Sequence, residues 1–305
     1  MEKIVVVTRK TRLVELVERW NTRAQAKFWI ERAGGDFVDY EREDDAYRRA
    51  LEVLGRSLEL GLKTQTIDRA LLPTFLFSPH DLVVTMGQDG LVANAAKYVG
   101  SQPILAVNPD PARFDGVLLP FTPVTAREGA RRVLDGTCLV DEVTLAEATL
   151  ADGQKLLAFN DLFVGAASHV SARYRIRWGE RAEAQSSSGV LISTGAGSTG
   201  WLSSVFNMTA GIASFTGGQP GTPLRLSWSD PRLVFVVREP FLSRHSQATI
   251  VAGTLAPGAH LEMESLMPSG GIIFSDGMES DFLSFESGAT LEVRAARSRA
   301  RLVAG

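Results

Sequence analysis

Short apolar runs alternate with stretches of helical periodicity through the first 122 residues. The predicted strands cover residues 4–8, 62–66, 81–86 and 103–107, and the predicted helices include residues 12–32 and 89–99. Tyr47, Leu51, Leu54 and Leu58 are spaced by four, three and four residues, which places them on one face of a further helix. Strands that alternate with helices indicate a parallel sheet with crossover helices. We therefore expect a doubly wound, Rossmann-like α/β domain.

The pattern beyond residue 122 changes to short β-rich runs separated by Gly, Pro and Asp. Helices are predicted over residues 124–134 and 201–213. The predicted strands cover residues 138–143, 155–164, 173–178, 190–193, 224–228, 233–238, 249–252, 260–265, 272–275 and 289–293. Such runs are typical of an antiparallel sandwich. The prediction is an α/β domain over residues 1–122, followed by an all-β sandwich-like domain over residues 123–305 whose last segment packs back on the first domain.

Composition narrows the functional classes. The chain has 305 residues, 45% hydrophobic and 22% charged, which is enough for two folded domains. A formal net charge of -3 argues against nucleic-acid and membrane partners, since both need a basic surface. A single cysteine, Cys138, forms no internal disulfide and suits a reducing compartment. Because the N-terminus runs directly into a strand and no apolar run reaches about 18 residues, we expect a cytoplasmic protein.

The turn Gly87-Gln88-Asp89-Gly90 is the first candidate for chemistry, because an apolar strand gives way there to a predicted helix. Such a turn presents backbone N–H groups and the positive end of a helix dipole to an anion, and glycine lets a phosphate approach closely. A carboxylate at this place suits the transfer of a metal-bound phosphate. The alternative is a plain loop, in which the same residues only form the turn.

Three other segments carry polar residues where a ligand could use them. The loop over residues 193–201 offers small residues and four hydroxyl groups to ribose or phosphate oxygens, or is a polar turn with an N-cap. Asn160 and Asp161 interrupt a predicted strand, which indicates either a bulge or a ligand that satisfies them. Asn108 and Asp110 follow a strand at the edge where doubly wound sheets bind ligands, although turns use the same residue types.

Two further patterns bear on ligand binding. Arg173, Arg175 and Arg177 alternate along one strand and so share a face, which points either to solvent or to a nucleotide phosphate. The four histidines are scattered without ligand spacing, so the sequence predicts no zinc site.

The order of the candidate segments resembles that of the NAD kinase family. Members carry Gly-Gly-Asp-Gly, Asn-Glu, a loop of the Thr-Pro-Thr-Gly-Ser-Thr type and a late Asp-Gly. This chain has, in the same order, Gly87-Gln88-Asp89-Gly90, Asn160-Asp161, the loop over residues 193–201 and Asp276-Gly277. The similarity is greater to the mitochondrial-type NAD kinases and their bacterial relatives, through residues 6–12, 103–111, 187–189 and 238–241. The resemblance therefore spans nearly the whole chain.

The resemblance implies a kinase that moves the terminal phosphoryl of ATP, or of polyphosphate, to the 2′-hydroxyl of the adenosine ribose of NAD, which yields NADP. Asp89 is then the catalytic residue. The residues implied beside the donor phosphates are Gly87, Gln88 and Gly90. Those implied for NAD binding are Asn160, Asp161, Thr194, Gly197, Ser198, Thr199 and Trp201, with Asn108, Asp110 and Asp276 as further candidates. The resemblance also implies Mg²⁺ with ATP, no assigned metal ligands, a site between the domains, and a homodimer or higher homo-oligomer.

Departures from the family pattern keep other functions open. Gln88 replaces a glycine and would strain the backbone if the position needs a positive φ. Leu91 replaces a threonine, Asp161 stands where glutamate is usual, and Trp201 is either a ligand contact or a core aromatic. One alternative is a catalytically weak or inactive pseudokinase that binds NAD(P)(H). Another is a related kinase that acts on a lipid or another small alcohol, because lipid kinases share a Gly-Asp-Gly element.

Overall fold

A computed structural model describes residues 1–279 and 281–305 of the chain. The chain divides into two compact units. The first comprises Met1–Asp141 and Arg301–Gly305, and the second comprises Glu142–Ala300. The division falls later than the predicted boundary after residue 122, because the helix Ala126–Leu134 packs with Ala130 and Val133 into the core of the first unit.

The first unit contains a parallel sheet flanked by helices. Its strands are β1 (Lys3–Thr8), β2 (Lys63–Asp68), β3 (Asp81–Met86) and β4 (Pro103–Val107), and its helices are α1 (Arg12–Trp20), α2 (Arg23–Arg32), α3 (Phe37–Ser57), α4 (Asp89–Ala96) and α5 (Ala126–Leu134). The strand order is β2-β1-β3-β4, and the end of the chain's last strand adds a parallel strand beside β4. The central strand β3 is buried along its whole length, as a strand covered on both faces should be.

One face of this sheet packs against α3 and α5. Tyr47, Leu54 and Leu58 lie in that core together with side chains of β1, β3 and β4, as the spacing of the apolar positions predicts. Helix α4 follows β3 directly, packs against β3 and β4, and buries Leu91 and Val92. The turn between β3 and α4 therefore joins two buried elements of the unit.

The helical pattern predicted over residues 12–32 is confirmed, and it is formed by two helices, α1 and α2. They are separate because Asn21 adopts a left-handed conformation with φ 64° that ends the first helix. Thr22 then starts the second, since its hydroxyl accepts a hydrogen bond from the Gln25 N–H.

The second unit is a sandwich of antiparallel strands. Its strands are β5 (Val140–Leu150), β6 (Lys155–Ala158), β7 (Asp161–Ala166), β8 (Ala172–Trp178), β9 (Arg181–Ser187), β10 (Val190–Ser193), β11 (Leu233–Val237), β12 (Ala252–Leu255), β13 (His260–Ser265), β14 (Gly271–Ser275), β15 (Phe282–Ser284) and β16 (Thr290–Val303), and its helix is α6 (Trp201–Phe215). One sheet has the order β12-β11-β10-β7-β14-β15. The other places β16, β13, β8 and β9 side by side, with β5 against β16 and β6 against β5. Apolar side chains from both sheets, including Tyr174, Phe235 and Phe285, form the core.

The predicted β-rich sandwich is confirmed, while several of its boundaries are corrected. The strand predicted over residues 155–164 breaks after Ala158 and resumes at Asp161. Residues 224–228 lie outside the strands, and Leu226 packs against Leu202 of α6 instead. The sequence reasoning also missed β9 and β15, whose residues are too polar or too few for an apolar run.

Candidate functional site

The turn after β3 leads into α4 without backbone strain. The Gly87 N–H donates to the Val107 carbonyl at 3.3 Å, which ties the turn to the neighbouring strand. Gln88 is the N-cap of α4 with φ -96° and ψ 170°, so the position needs no positive φ. A Cβ at Gly87 would lie 2.8 Å from Cδ2 of Leu91, which is itself buried. Two residues that differ from the family pattern thus have a structural explanation. Gln88 adopts ordinary backbone angles, and Leu91 packs against Gly87.

Asp89 begins α4, and its carboxylate points at a loop. Its Oδ1 accepts a hydrogen bond from the Leu118 N–H at 2.9 Å, in the segment that follows β4. Asn108 lies at the start of the same segment and is buried, with its side chain bonded to the loop backbone. Asp110 contributes through its carbonyl, which accepts the N–H groups of Arg113 and Phe114. The structure therefore brings Asn108 and Asp89 to one loop, with Asn108 and Asp110 forming turns there.

A charged cavity of about 470 Å³ lies beside the turn. Its walls are formed by Arg12, Asp39, Glu43, Gln88, Arg113 and Phe114. Glu43 is buried and pairs with Arg9 at 3.0 Å and with Arg113 at 3.6 Å. Arg12 bonds to Glu43 and pairs with Asp39 at 3.0 Å, and Arg113 also bonds to Asp39. Three guanidinium groups thus surround two carboxylates, so the cluster carries a net positive charge next to the start of α4.

Sequence reasoning missed this arginine cluster. The available signal was the spacing of Asp39, Glu43 and Tyr47, four residues apart, which places both carboxylates on the face that carries the buried tyrosine. The Tyr47 hydroxyl in turn donates to the Met86 carbonyl at 2.9 Å, so α3 is bonded to the strand end that precedes the turn.

In the second unit, Asp276 holds the break between β6 and β7. Its carboxylate accepts the N–H groups of Phe159, Asn160 and Asp161 at 3.0, 2.6 and 3.2 Å. Asp276 itself adopts a left-handed conformation with φ 54°. A carboxylate that takes three backbone N–H bonds explains how polar residues can interrupt an apolar strand.

In the candidate site of the second unit, Asp161 carries a buried carboxyl group. Its residue is only 8% exposed, and its Oδ1 is buried with no hydrogen-bond partner among the described residues. Burial raises the pKa of Asp161 to about 7, although the Ser193 hydroxyl lowers it and the charge of Asp276 raises it further. A buried carboxylate oxygen of this kind is suited to accept a hydroxyl donor from a ligand.

The hydroxyl loop packs against the same break. The Thr194 hydroxyl donates to the Phe159 carbonyl at 2.6 Å and accepts the Gly197 N–H at 3.2 Å. The Ser198 hydroxyl donates to the Gly195 carbonyl at 2.7 Å. Both hydroxyl groups are buried and maintain the loop, whereas Thr199 is exposed. The structure therefore brings the loop together with Asn160, Asp161 and Asp276.

An aromatic platform stands at the start of α6. The Trp201 ring stacks on Phe163 at 5.7 Å with an interplanar angle of 15°, and Phe274 packs on Phe163 at 4.9 Å. The Arg238 guanidinium lies 5.2 Å from the Trp201 ring centre and 5.7 Å from that of Phe163. Trp201 is half-buried on this platform, and Arg238, which sequence reasoning left without a role, is part of it.

The other candidate residues lie away from these clusters. Arg175 and Arg177 face solvent and pair with Glu264 and Glu262 at 3.2 and 3.3 Å, as the alternation along β8 predicts. Across residues 1–279 and 281–305, no group of three or more His, Cys, Asp or Glu side chains is placed to hold a metal ion. No helix in the described part of the chain is both long and apolar enough to cross a bilayer.

The stability of the protein should depend on pH through Asp161. The folded state holds this proton up to about pH 7, whereas the unfolded state releases it near pH 3.8, so the free energy of unfolding should fall as pH rises between these values. The loss is at most about 4 kcal/mol, at 1.36 kcal/mol per pKa unit. Asp161→Asn should flatten this dependence and raise the stability at pH 8, as measured by urea unfolding. Asp152→Asn, which changes an exposed carboxylate, should leave the slope unchanged; an equal slope in Asp161→Asn would contradict the assignment.

The fold defined by these two units is that of the NAD kinases. The crystal structure of yeast NADH kinase complexed with NADH matches with a TM-score of 0.57 and 18% identity, over 100% of this chain and 84% of that one. An NAD kinase from Archaeoglobus fulgidus in complex with ATP matches with a TM-score of 0.56 and 15% identity, over 99% of this chain and 93% of that one. No protein-family model and no curated protein matches the sequence. The predicted NAD kinase-like fold is confirmed, while the similarity to the mitochondrial type stays a prediction.

Proposed function

We propose that the protein transfers the terminal phosphoryl of ATP to the 2′-hydroxyl of the adenosine ribose of NAD, forming NADP and ADP. One observation carries the proposal: in an NAD kinase fold, a carboxylate, Asp89, stands at the first position of a helix that follows a glycine turn. In the reaction, the ribose oxygen forms a bond to the terminal phosphorus, the bond from that phosphorus to the bridging oxygen breaks, and ADP leaves. The hydroxyl proton passes to Asp89 and from there to solvent.

The first unit supplies the donor side in this proposal. The turn from Gly87 to Gly90 presents backbone N–H groups at the positive end of α4. A Cβ at Gly90 would meet no atom within 4 Å, so this side of the turn is open to a phosphate. Arg12 and Arg113, which line the charged cavity beside the turn, add guanidinium groups that can pair with phosphate oxygens. Phosphoryl transfer depends chiefly on such positioning and charge neutralisation.

Mg²⁺ is included in the proposal as the partner of ATP. The carboxylates of Asp39 and Glu43, which line the cavity beside the turn, are paired with arginines. The arrangement therefore suits a metal ion that enters bound to the polyphosphate better than one coordinated by protein side chains. Mg²⁺ bound in this way neutralises phosphate charge and takes most of its ligands from phosphate and water. The protein's own contribution is to place the donor against Asp89.

The second unit supplies the acceptor side in this proposal. Asp161 and Asn160 accept and donate hydrogen bonds to the NAD ribose, Gly197 packs closely against them, and Thr199 offers an exposed hydroxyl. Asp276, Thr194 and Ser198 act through the backbone that they hold. Trp201 on the aromatic platform offers a surface on which a planar ring of the dinucleotide can stack.

The decisive test is an assay of the purified protein with Mg-ATP and NAD, in which NADP is detected with an NADP-specific dehydrogenase. The expected result is NADP formation that depends on both substrates. Parallel assays replace ATP by polyphosphate and NAD by NADH. Calorimetric binding of NAD with no NADP from any donor would favour the pseudokinase alternative. Phosphorylation of a lipid or another alcohol in place of NAD would favour the second alternative, a related kinase that acts on such a substrate.

Gln88 allows a separate test of the donor side. Gln88→Gly and Gln88→Ala should both lower KM for ATP about threefold to tenfold, or about 0.7–1.4 kcal/mol, because the exposed side chain lines the charged cavity. KM for NAD should stay within about twofold. Steady-state kinetics with each substrate varied would measure both effects. An unchanged KM for ATP in both variants would place the donor phosphates elsewhere.

A further inference from the structure

The carboxylate of Asp89 is held by a backbone group that lies almost thirty positions further along the chain. Leu118 donates its N–H to Oδ1 at 2.9 Å, with a separation of 29 residues. Within residues 1–279 and 281–305, no other hydrogen bond to this carboxylate is formed. Because one carboxylate oxygen is held by the Leu118 N–H, a shift of this N–H changes where the second oxygen points.

Asn108 fixes the shape of the loop that carries Leu118. The residue is 4% exposed, and its Nδ2 donates to the Phe114 carbonyl at 2.9 Å. Its Oδ1 accepts the Asp110 N–H at 3.0 Å, and its own N–H donates to the Phe121 carbonyl at 2.7 Å. One buried side chain thus bonds the beginning of the loop to its middle, while its backbone bonds to the residue that follows the loop.

Gly116 completes this arrangement next to Leu118. Its φ is 62°, a conformation that L side chains rarely adopt. A Cβ there would lie 2.6 Å from Nδ2 of Asn108 and 3.1 Å from Cβ of Leu119. Its carbonyl accepts the Leu119 N–H at 2.9 Å, which forms the turn that exposes the Leu118 N–H to Asp89. Glycine is therefore required here both for the backbone angle and for the contact with Asn108.

We propose that Asn108 and Gly116 are positioning residues that orient the Asp89 carboxylate through the Leu118 N–H. The inference rests on the proposed function, since orientation of Asp89 matters for the reaction only if Asp89 engages the ribose hydroxyl. A displacement of about 1 Å from the reactive geometry can cost about 10²-fold in rate.

The kinetic test compares Asn108→Ala and Gly116→Ala with Gly136→Ala. Gly136 has a similar φ of 68°, but a Cβ there would meet no atom within 4 Å. Its replacement by alanine therefore strains the backbone without causing a steric clash. Both test variants should lower kcat about 10- to 100-fold and keep KM for ATP and NAD within about twofold. The control should keep the wild-type kcat. Losses of kcat that only follow the folded fraction, or KM values that rise as far as kcat falls, would overturn the proposal.

A second measurement does not depend on turnover. In protein labelled with ¹⁵N-leucine, Asp89→Asn should shift the Leu118 amide signal, because the acceptor of its hydrogen bond changes from a carboxyl group to an amide. When Asn108→Ala or Gly116→Ala is already present, adding Asp89→Asn should no longer shift this signal. An equal shift in all three backgrounds would overturn the proposal. If the wild type forms no NADP while the shift is lost in both variants, the proposed function fails and the positioning role stands.

Discussion

Replacing Asp89 by asparagine is expected to lower kcat for NADP formation by about 10³-fold, within the range that general acid–base groups contribute. Asparagine keeps an oxygen that can accept the Leu118 N–H, so the loop and the helix start should survive. The loss then reports the negative charge and the proton acceptor rather than the fold. KM for ATP and NAD should change by less than about threefold, because the substrates are bound mainly by other groups. Steady-state kinetics on the purified variant would measure both parameters.

The control for this prediction is Asp135→Asn, which removes an exposed carboxylate after α5 in the same unit. It should show wild-type kinetics. Asp89→Ala removes the acceptor of the Leu118 N–H as well, and should be less stable than Asp89→Asn while equally inactive. Full activity in Asp89→Asn would show that this carboxylate is not the catalytic group.

Replacing Gly197 by alanine is expected to lower the affinity for NAD by about 100-fold. The added Cβ would lie 2.6 Å from both the Asp161 Oδ1 and the Ser193 hydroxyl, and it would also press on the Asn160 carbonyl. These atoms belong to the buried break that we assign to ribose binding. Overpacking of this kind typically costs about 1–3 kcal/mol of stability, so the melting temperature should fall as well. Calorimetric titration with NAD and thermal unfolding would measure the two effects.

The matched control is Gly211→Ala in α6. A Cβ at Gly211 would meet nothing within 4 Å, and alanine is favoured over glycine inside a helix by up to about 1 kcal/mol. This variant should bind NAD like the wild type and be at least as stable. If Gly197→Ala loses stability but retains its affinity for NAD at a temperature where it is folded, the ribose is bound elsewhere.

Sequence patterns predicted best where one local signal determined the structure. Strands β3, β4, β10 and β13 match their predicted bounds, because each is an uninterrupted apolar or strictly alternating run. The break after Ala158 escaped prediction because it depends on Asp276, which is more than a hundred residues away. The break at Asn21 depends on one left-handed residue between two stretches that share a helical pattern.

The residues of the candidate site could also be predicted only where a local signal marks them. Asp89 and Asp161 could be singled out, because a carboxylate at a glycine turn and an acid within an apolar strand are unusual in sequence. The arginine cluster could not, since Arg113 meets Glu43 only through the folding of separate elements. The hydroxyl groups of Thr194 and Ser198 were expected to face a ligand, but they donate to the backbone carbonyls of Phe159 and Gly195. Residue type therefore identified the places, and packing decided which atoms are available.

The bonding of Asp276 to the break before β7 has a consequence for protein engineering. The backbone that presents Asn160 and Asp161 is held by a side chain from a distant segment. The two segments would therefore have to be transferred together. A graft of residues 159–161 alone into another scaffold would leave three N–H groups without their acceptor. Attempts to transplant or retune this binding surface should therefore carry Asp276 and its turn along with the strand.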